Sequence, residues 1–159
     1  MTRMNLCLAF ASVIAAVLLS EQQTAPKLSA PTYFIAAKAE YRDSEEIWLR
    51  GTSNLPPGAI LIVDVQNYVG ENSKVLSKRS LPRVGKDGLF EATLVPLPKT
   101  QFKHNIVCIV SFSPDYPGQD ASVVTAVGKK GERLGFPTNP QTEINSGERV
   151  SLRADVHVD

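Results

Sequence analysis

Cysteine is nearly missing from this chain, with two in 159 residues. Cys7 lies inside an N-terminal apolar run that we expect to be removed, which leaves Cys108 alone. A single thiol closes no intrachain bridge, so the fold must stand on its hydrophobic core. Histidine is as scarce: His104 and His157 are the two, too few and too scattered for a zinc set. Net charge is also small, +1 for the full chain. Lys and Arg number 17 against 16 Asp and Glu, and loss of Arg3 with the N-terminal segment levels them. No basic excess exists to neutralise phosphates, which argues against nucleic acid as a partner. Lys78-Arg79 with Arg83, and Lys129-Lys130 with Arg133, read as local solvated charge, the second cluster kept as a possible contact. The chain shows no helical periodicity after residue 20 and no repeat of 20–50 residues.

What is present first is an address. Arg3 precedes an apolar run from Leu6 to Leu19, and Ser20 opens the polar stretch Glu21-Gln22-Gln23-Thr24. The run is about 14 residues, short of the ~20 a spanning helix needs, and has the anatomy of a secretory signal peptide. We expect residues 1–20 to be a cleavable signal, 21–31 a disordered leader, and 32–159 one domain. A secreted or periplasmic location follows. The membrane enters only if the signal is retained as an anchor.

The body reads as strands and turns. Tyr33, Ile35, Ala37 and Ala39 alternate in a first strand. In the second, Ile47 and Leu49 take one side and Trp48 the other. Asn54-Leu55-Pro56-Pro57-Gly58 is a type II turn by composition, since Pro57 presets φ and Gly58 accepts a positive one. Residues 59–68 follow, with Leu61, Val63 and Val65 inward because the other parity would bury Asp64. Residues 75–84 contain Pro82, which lacks a ladder N–H and so predicts an edge. Gly85-Lys86-Asp87-Gly88 carries the Asp-Gly hairpin signal, with 89–95 returning antiparallel. Residues 104–113 are apolar on both faces, which predicts a central strand. A further strand is expected over 122–127. Residues 128–147 read as a long irregular connection, and 150–158 as a final alternating strand. About seven to eight short strands predict an all-β, antiparallel β-sandwich.

Tests for chemistry return little. There is no Gly-x-Ser-x-Gly elbow. His104 and Cys108 share a strand face but stand ~13 Å apart along it, and the apolar neighbours Val107 and Ile109 make an inert thiol. Asp115 and Asp120 around Gly118 are the candidate calcium ligands, with Asp43-Ser44-Glu45-Glu46 as an alternative, and neither has the density of an EF-hand loop. No catalytic residue, cofactor or metal is assigned. Trp48, with Tyr33, Tyr41, Tyr68 and Tyr116, is the candidate stacking surface. Loops 113–120 and 128–147 are the other candidate contacts, through Asp115, Tyr116, Asp120, Lys129, Lys130 and Arg133.

The 54–58 turn, the long strand after it and the stretch Gly88-Leu89-Phe90-Glu91-Ala92 give residues 33–158 a layout. It resembles the immunoglobulin-like modules of small secreted bacterial proteins, without the inter-sheet disulfide of antibody domains. That resemblance implies an Ig-like sandwich; with no catalytic signature in the chain, we expect an exported, non-enzymatic module that binds another protein or a cell-envelope component. The alternatives are a secreted protease inhibitor or a carbohydrate-binding module. Asn139-Pro140-Gln141-Thr142 is similar to a loop of the chagasin-like inhibitors, but continues with Glu143-Ile144 where that family has Gly and an aromatic.

Overall fold

A computed structural model describes residues 32–43, 46–67, 74–75, 79–95, 106–136, 138–145 and 147–158. The expected signal and leader, Tyr68, Lys78 and His104 lie outside the described residues. Two antiparallel sheets make up most of the described chain. One holds β1 (Ile35–Asp43), β2 (Glu46–Ser53) and β5 (Leu89–Leu94), in the order β1-β2-β5. The other holds β3 (Ile62–Asn67), β4 (Lys74–Val75), β6 (Ile106–Phe112), β7 (Thr142–Asn145) and β8 (Arg149–His157), in the order β4-β3-β6-β8-β7. A parallel bridge from Ala39 to Val158 ties the β1 edge to the end of β8.

Alternation decides what is inside. Ile47 and Leu49 of β2, Leu61, Val63 and Val65 along β3, and Cys108, Val110 and Phe112 of β6 are all fully buried in one shared core. Phe90, Ala92 and Leu94 of β5 close it from the first sheet, and Leu152 and Val156 of β8 from the second. Strand β6 sits centrally between β3 and β8, and its other-face residues Val107 and Ile109 are buried too. Asp64 stays outside the core, where Arg79 grips it with paired hydrogen bonds of 3.0 to 3.3 Å.

The 54–58 turn forms as its composition demands. The Ala59 N–H donates to the Pro56 carbonyl at 3.1 Å, and Gly58 takes a φ of 89°. The segment after β4 follows the β3 edge through bridges at Ser80 and Arg83 rather than as a continuous strand. Pro82 explains the interruption: its carbonyl accepts the Leu61 N–H at 2.9 Å, but it has no N–H to return.

Three expectations need correction. The turn at Gly85–Gly88 forms, with the Gly88 N–H donating to Gly85 at 3.1 Å. The strands flanking it do not pair with each other, however. The segment before it bonds to β3 and β5 bonds to β2, so the turn carries the chain between sheets. Second, the strand expected over 122–127 is a helix, α1 (Ala121–Val127). Its β-branched content favours a strand, but Val123 and Val127, four apart, both reach the core. No strand among the described residues pairs with this segment, so its backbone satisfies its own polar groups internally and context overrides propensity. Gly128 ends it, its N–H returning to the Val124 carbonyl at 2.9 Å. Third, the connection 128–147 is not wholly irregular. It contains β7, a fully buried Leu134 and a buried Asn139.

Candidate functional site

Because Ile47 and Leu49 are held in the core, Trp48, Arg50 and Thr52 must project from the opposite face of β2. The strand register sets their neighbours. Trp48 lies between Glu40 and Thr93, Arg50 between Lys38 and Glu91, and Thr52 between Ala36 and Leu89. Ala36, Lys38, Trp48, Arg50, Thr52 and Leu89 line one depression on this face, with Arg83 and Asp87 alongside. The result is an open groove of about 830 Å³. Gly51 cannot carry a side chain here, since a Cβ would stand 2.4 Å from the Ala36 carbonyl oxygen and 2.5 Å from the Phe90 ring.

Charges of both signs line the groove: Lys38, Arg50 and Arg83 against Asp87 and Glu91. Two guanidinium groups stand over the Trp48 ring, Arg50 at 4.7 Å and Arg42 at 5.5 Å from its centroid. Arg50 also reaches Glu40 at 3.8 Å. Cation–π contact of this kind contributes ~0.5–1 kcal/mol at exposed sites and fixes the indole's orientation. The aromatic surface open to a sugar ring shrinks accordingly.

The other sequence candidates do not gather around Trp48. Tyr33 is a core residue, and Tyr116 belongs to the loop after β6, where its backbone makes turn hydrogen bonds with Ser113 and Gln119. Asp115 accepts hydrogen bonds from the Ser113 hydroxyl and the Arg149 guanidinium. The Ser113 hydroxyl and then the Arg149 charge hold its carboxyl below the usual range. Asp120 pairs with Arg83 at 3.4 Å. Both proposed calcium ligands thus face groups of this chain, and no cluster of three or more His, Cys, Asp or Glu stands together among the described residues. Arg133 caps α1, donating to the Thr125 carbonyl at 3.0 Å. Lys129 and Lys130 are exposed, and the Lys130 carbonyl accepts the Val150 N–H at 2.8 Å, docking that loop on β8. Asn139 and Gln141 are turned inward by their hydrogen bonds: Asn139 donates to Tyr33 and Leu134, and Gln141 clamps both backbone groups of Ile35. Those two side chains are spent inside the fold rather than offered on an inhibitory loop.

Cys108 is fully buried, and burial pushes its thiol up to about 12. At neutral pH the thiolate, the reactive form, is then a negligible fraction. Thiol-reactive probes are expected to label the native protein at least a hundredfold more slowly than the urea-unfolded chain. Labelling at equal rates would contradict the placement of Cys108.

The outward side of Trp48 is legible in its own strand, but Lys38, Ala36, Leu89 and Asp87, which line the same groove, are not. Parity along β2 is visible in one strand, whereas the neighbours depend on pairings with β1 and β5. Among the described residues no helix is long and apolar enough to cross a membrane. No family model, curated protein or solved structure matches this chain.

Proposed function

We propose that this protein is an exported, non-enzymatic, immunoglobulin-like β-sandwich that binds another protein or a cell-envelope component through the outer face of β1-β2-β5. The groove beside Trp48 carries this reading. Its volume falls in the ~300–1,000 Å³ range typical of binding sites, and Trp and Arg are the side chains that most often dominate protein contacts. Strand order supports the architecture, because strands one, two and five share a sheet and three, four and six belong to the other. That division matches a sandwich whose chain crosses repeatedly between layers. Arg3 and the apolar run after it support export. The guanidinium groups over the indole favour a protein partner over a pyranose, which would have to displace them.

Trp48→Ala tests the site. The side chain projects outward, so the melting temperature should move by only a few degrees. Cross-linked recovery of the partner from native envelope fractions should fall at least tenfold, the loss expected on truncating a central aromatic anchor. An unchanged set and yield of captured proteins would refute this face as the binding surface. Quenching of the indole by soluble glycans, abolished in the variant, would instead select the carbohydrate-binding reading.

A further inference from the structure

The sheet β1-β2-β5 has two edges, and they differ. At β1, the Gln141 amide pairs with both backbone groups of Ile35, and Ala39 bridges to Val158. At β5 no described residue pairs with the outer edge. The hydrogen bond from the Ser53 N–H to Gly88, at 2.9 Å, sets the phase of the β2–β5 ladder. With that phase Phe90, Ala92 and Leu94 turn their backbone groups toward β2, and Leu89, Glu91 and Thr93 turn theirs away. Leu89 is already satisfied, its N–H by the Asp87 carboxylate at 3.0 Å and its carbonyl by the Gly85 N–H at 2.7 Å. Among the described residues, Glu91 and Thr93 are left as the open pair on that edge.

We infer that a second copy of this chain docks on that edge, β5 against β5, antiparallel about a two-fold axis at Ala92. This register is the one that sets the exposed Leu89 and Val95 of the two copies opposite each other. With Ala92 opposite Ala92, Glu91 faces Thr93 of the second copy, and both are the residues whose backbone groups point outward. Roughly four inter-strand hydrogen bonds form, two for each Glu91–Thr93 pair. In the same register the Leu89 side chain faces Val95 of the second copy, while its backbone groups stay with Asp87 and Gly85. Leu89 and Val95 are two of the most exposed large apolar side chains, at 53% and 56%, and pairing them removes apolar surface from water. Moving the axis to Glu91, a slide of two residues, places Glu91 against Glu91 and sets Thr93 against Leu89, whose backbone groups are already used. Like charges directly opposite are destabilising, so that register is excluded. An open edge is a template for pairing, and this one is complementary to itself. Closure by a two-fold makes one six-stranded sheet with the two Trp48 grooves on a single face.

Sedimentation of the full chain across a concentration series, with melting curves as the folding control, tests this. A dimer with a dissociation constant on the order of 10 µM is expected, as befits a small interface. Thr93→Pro removes an outward N–H without touching the β2 ladder and should weaken the dimer more than tenfold. Thr93→Glu, which faces Glu91 of the second copy, should weaken it about tenfold, and Thr93→Lys should tighten it about threefold. If Thr93→Pro fails to fold, the opposed effects of Glu and Lys decide. A chain monomeric up to ~1 mM, or a dimer indifferent to these substitutions, overturns the inference. Trp48→Ala should leave the dimer intact while partner capture falls, so the two readings can be told apart although Leu89 and Glu91 belong to both surfaces.

Discussion

A chain ending at Gly147 is expected to be unfolded or aggregated, with no cooperative melt. Strand β8 lies between β6 and β7 and pairs with both, so its loss removes an inner strand rather than an edge. Leu152 and Val156 are buried in the shared core. Fully burying each contributes about 1.5–3 kcal/mol, or roughly 3–6 together, with Val150 and Val158 adding less because they are only partly covered. That figure is an upper bound, since unfolded chains are already partly collapsed. Further losses accompany it. The Lys130 loop loses its hydrogen bond to Val150, β1 loses its bridge to Val158, and β6 gains a bare edge beside residues apolar on both faces. Against a total stability of ~5–15 kcal/mol for an ordinary domain, these losses suffice. The free Cys108 offers no covalent compensation. Circular dichroism melting of the shortened chain checks this, and a transition within a few degrees of the full-length one would make β8 dispensable.

The parity of β2, the inward set of β3, the centrality of β6 and the alternation of β8 were legible because burial on one face imposes a period of two on the residues themselves. Pro82 marked the edge beside β3 for an equally local reason. Position relative to other strands is not local. The turn at Gly85–Gly88 has the chemistry of a hairpin, yet whether the chain re-enters the same sheet depends on where β2 and β3 lie. The segment 121–127 misleads for the same reason. Val123, Val124, Thr125 and Val127 favour a strand, yet as a helix Val123 and Val127, four apart, both reach a core built by distant strands. The site follows this division. Trp48 could be placed outward from its own strand, but the groove needed Leu89 from β5, Ala36 from β1 and the turn carrying Asp87. Charged residues grouped by sequence proximity, such as Lys129, Lys130 and Arg133, were separated by their actual duties.

Asn139→Ala is the point substitution expected to cost most outside the apolar core. Asn139 is 4% exposed and uses its whole amide. Its Nδ2 donates to Tyr33 at 2.7 Å and Leu134 at 2.9 Å, while Oδ1 accepts the Gln141 N–H at 3.1 Å. Alanine would strand two carbonyls and one N–H, each costing about 1–3 kcal/mol where water cannot replace the partner. A loss of ~3–5 kcal/mol and a fall in melting temperature of about 10 °C or more should follow. Position in the fold raises the consequence, because the same turn aims Gln141 at the start of β1. Asn139→Asp sharpens the test, as it keeps the shape and one acceptor but loses both donors and faces a carboxylate toward two carbonyls. That environment raises the folded carboxyl above its unfolded value of ~3.9. The folded state then binds more protons than the unfolded one, so this variant should recover stability as pH falls toward 4 and lose it as pH rises. If Asn139→Ala melts within 2–3 °C of the parent, the amide is replaceable by water, and the 134–141 turn is not what holds β1 in place.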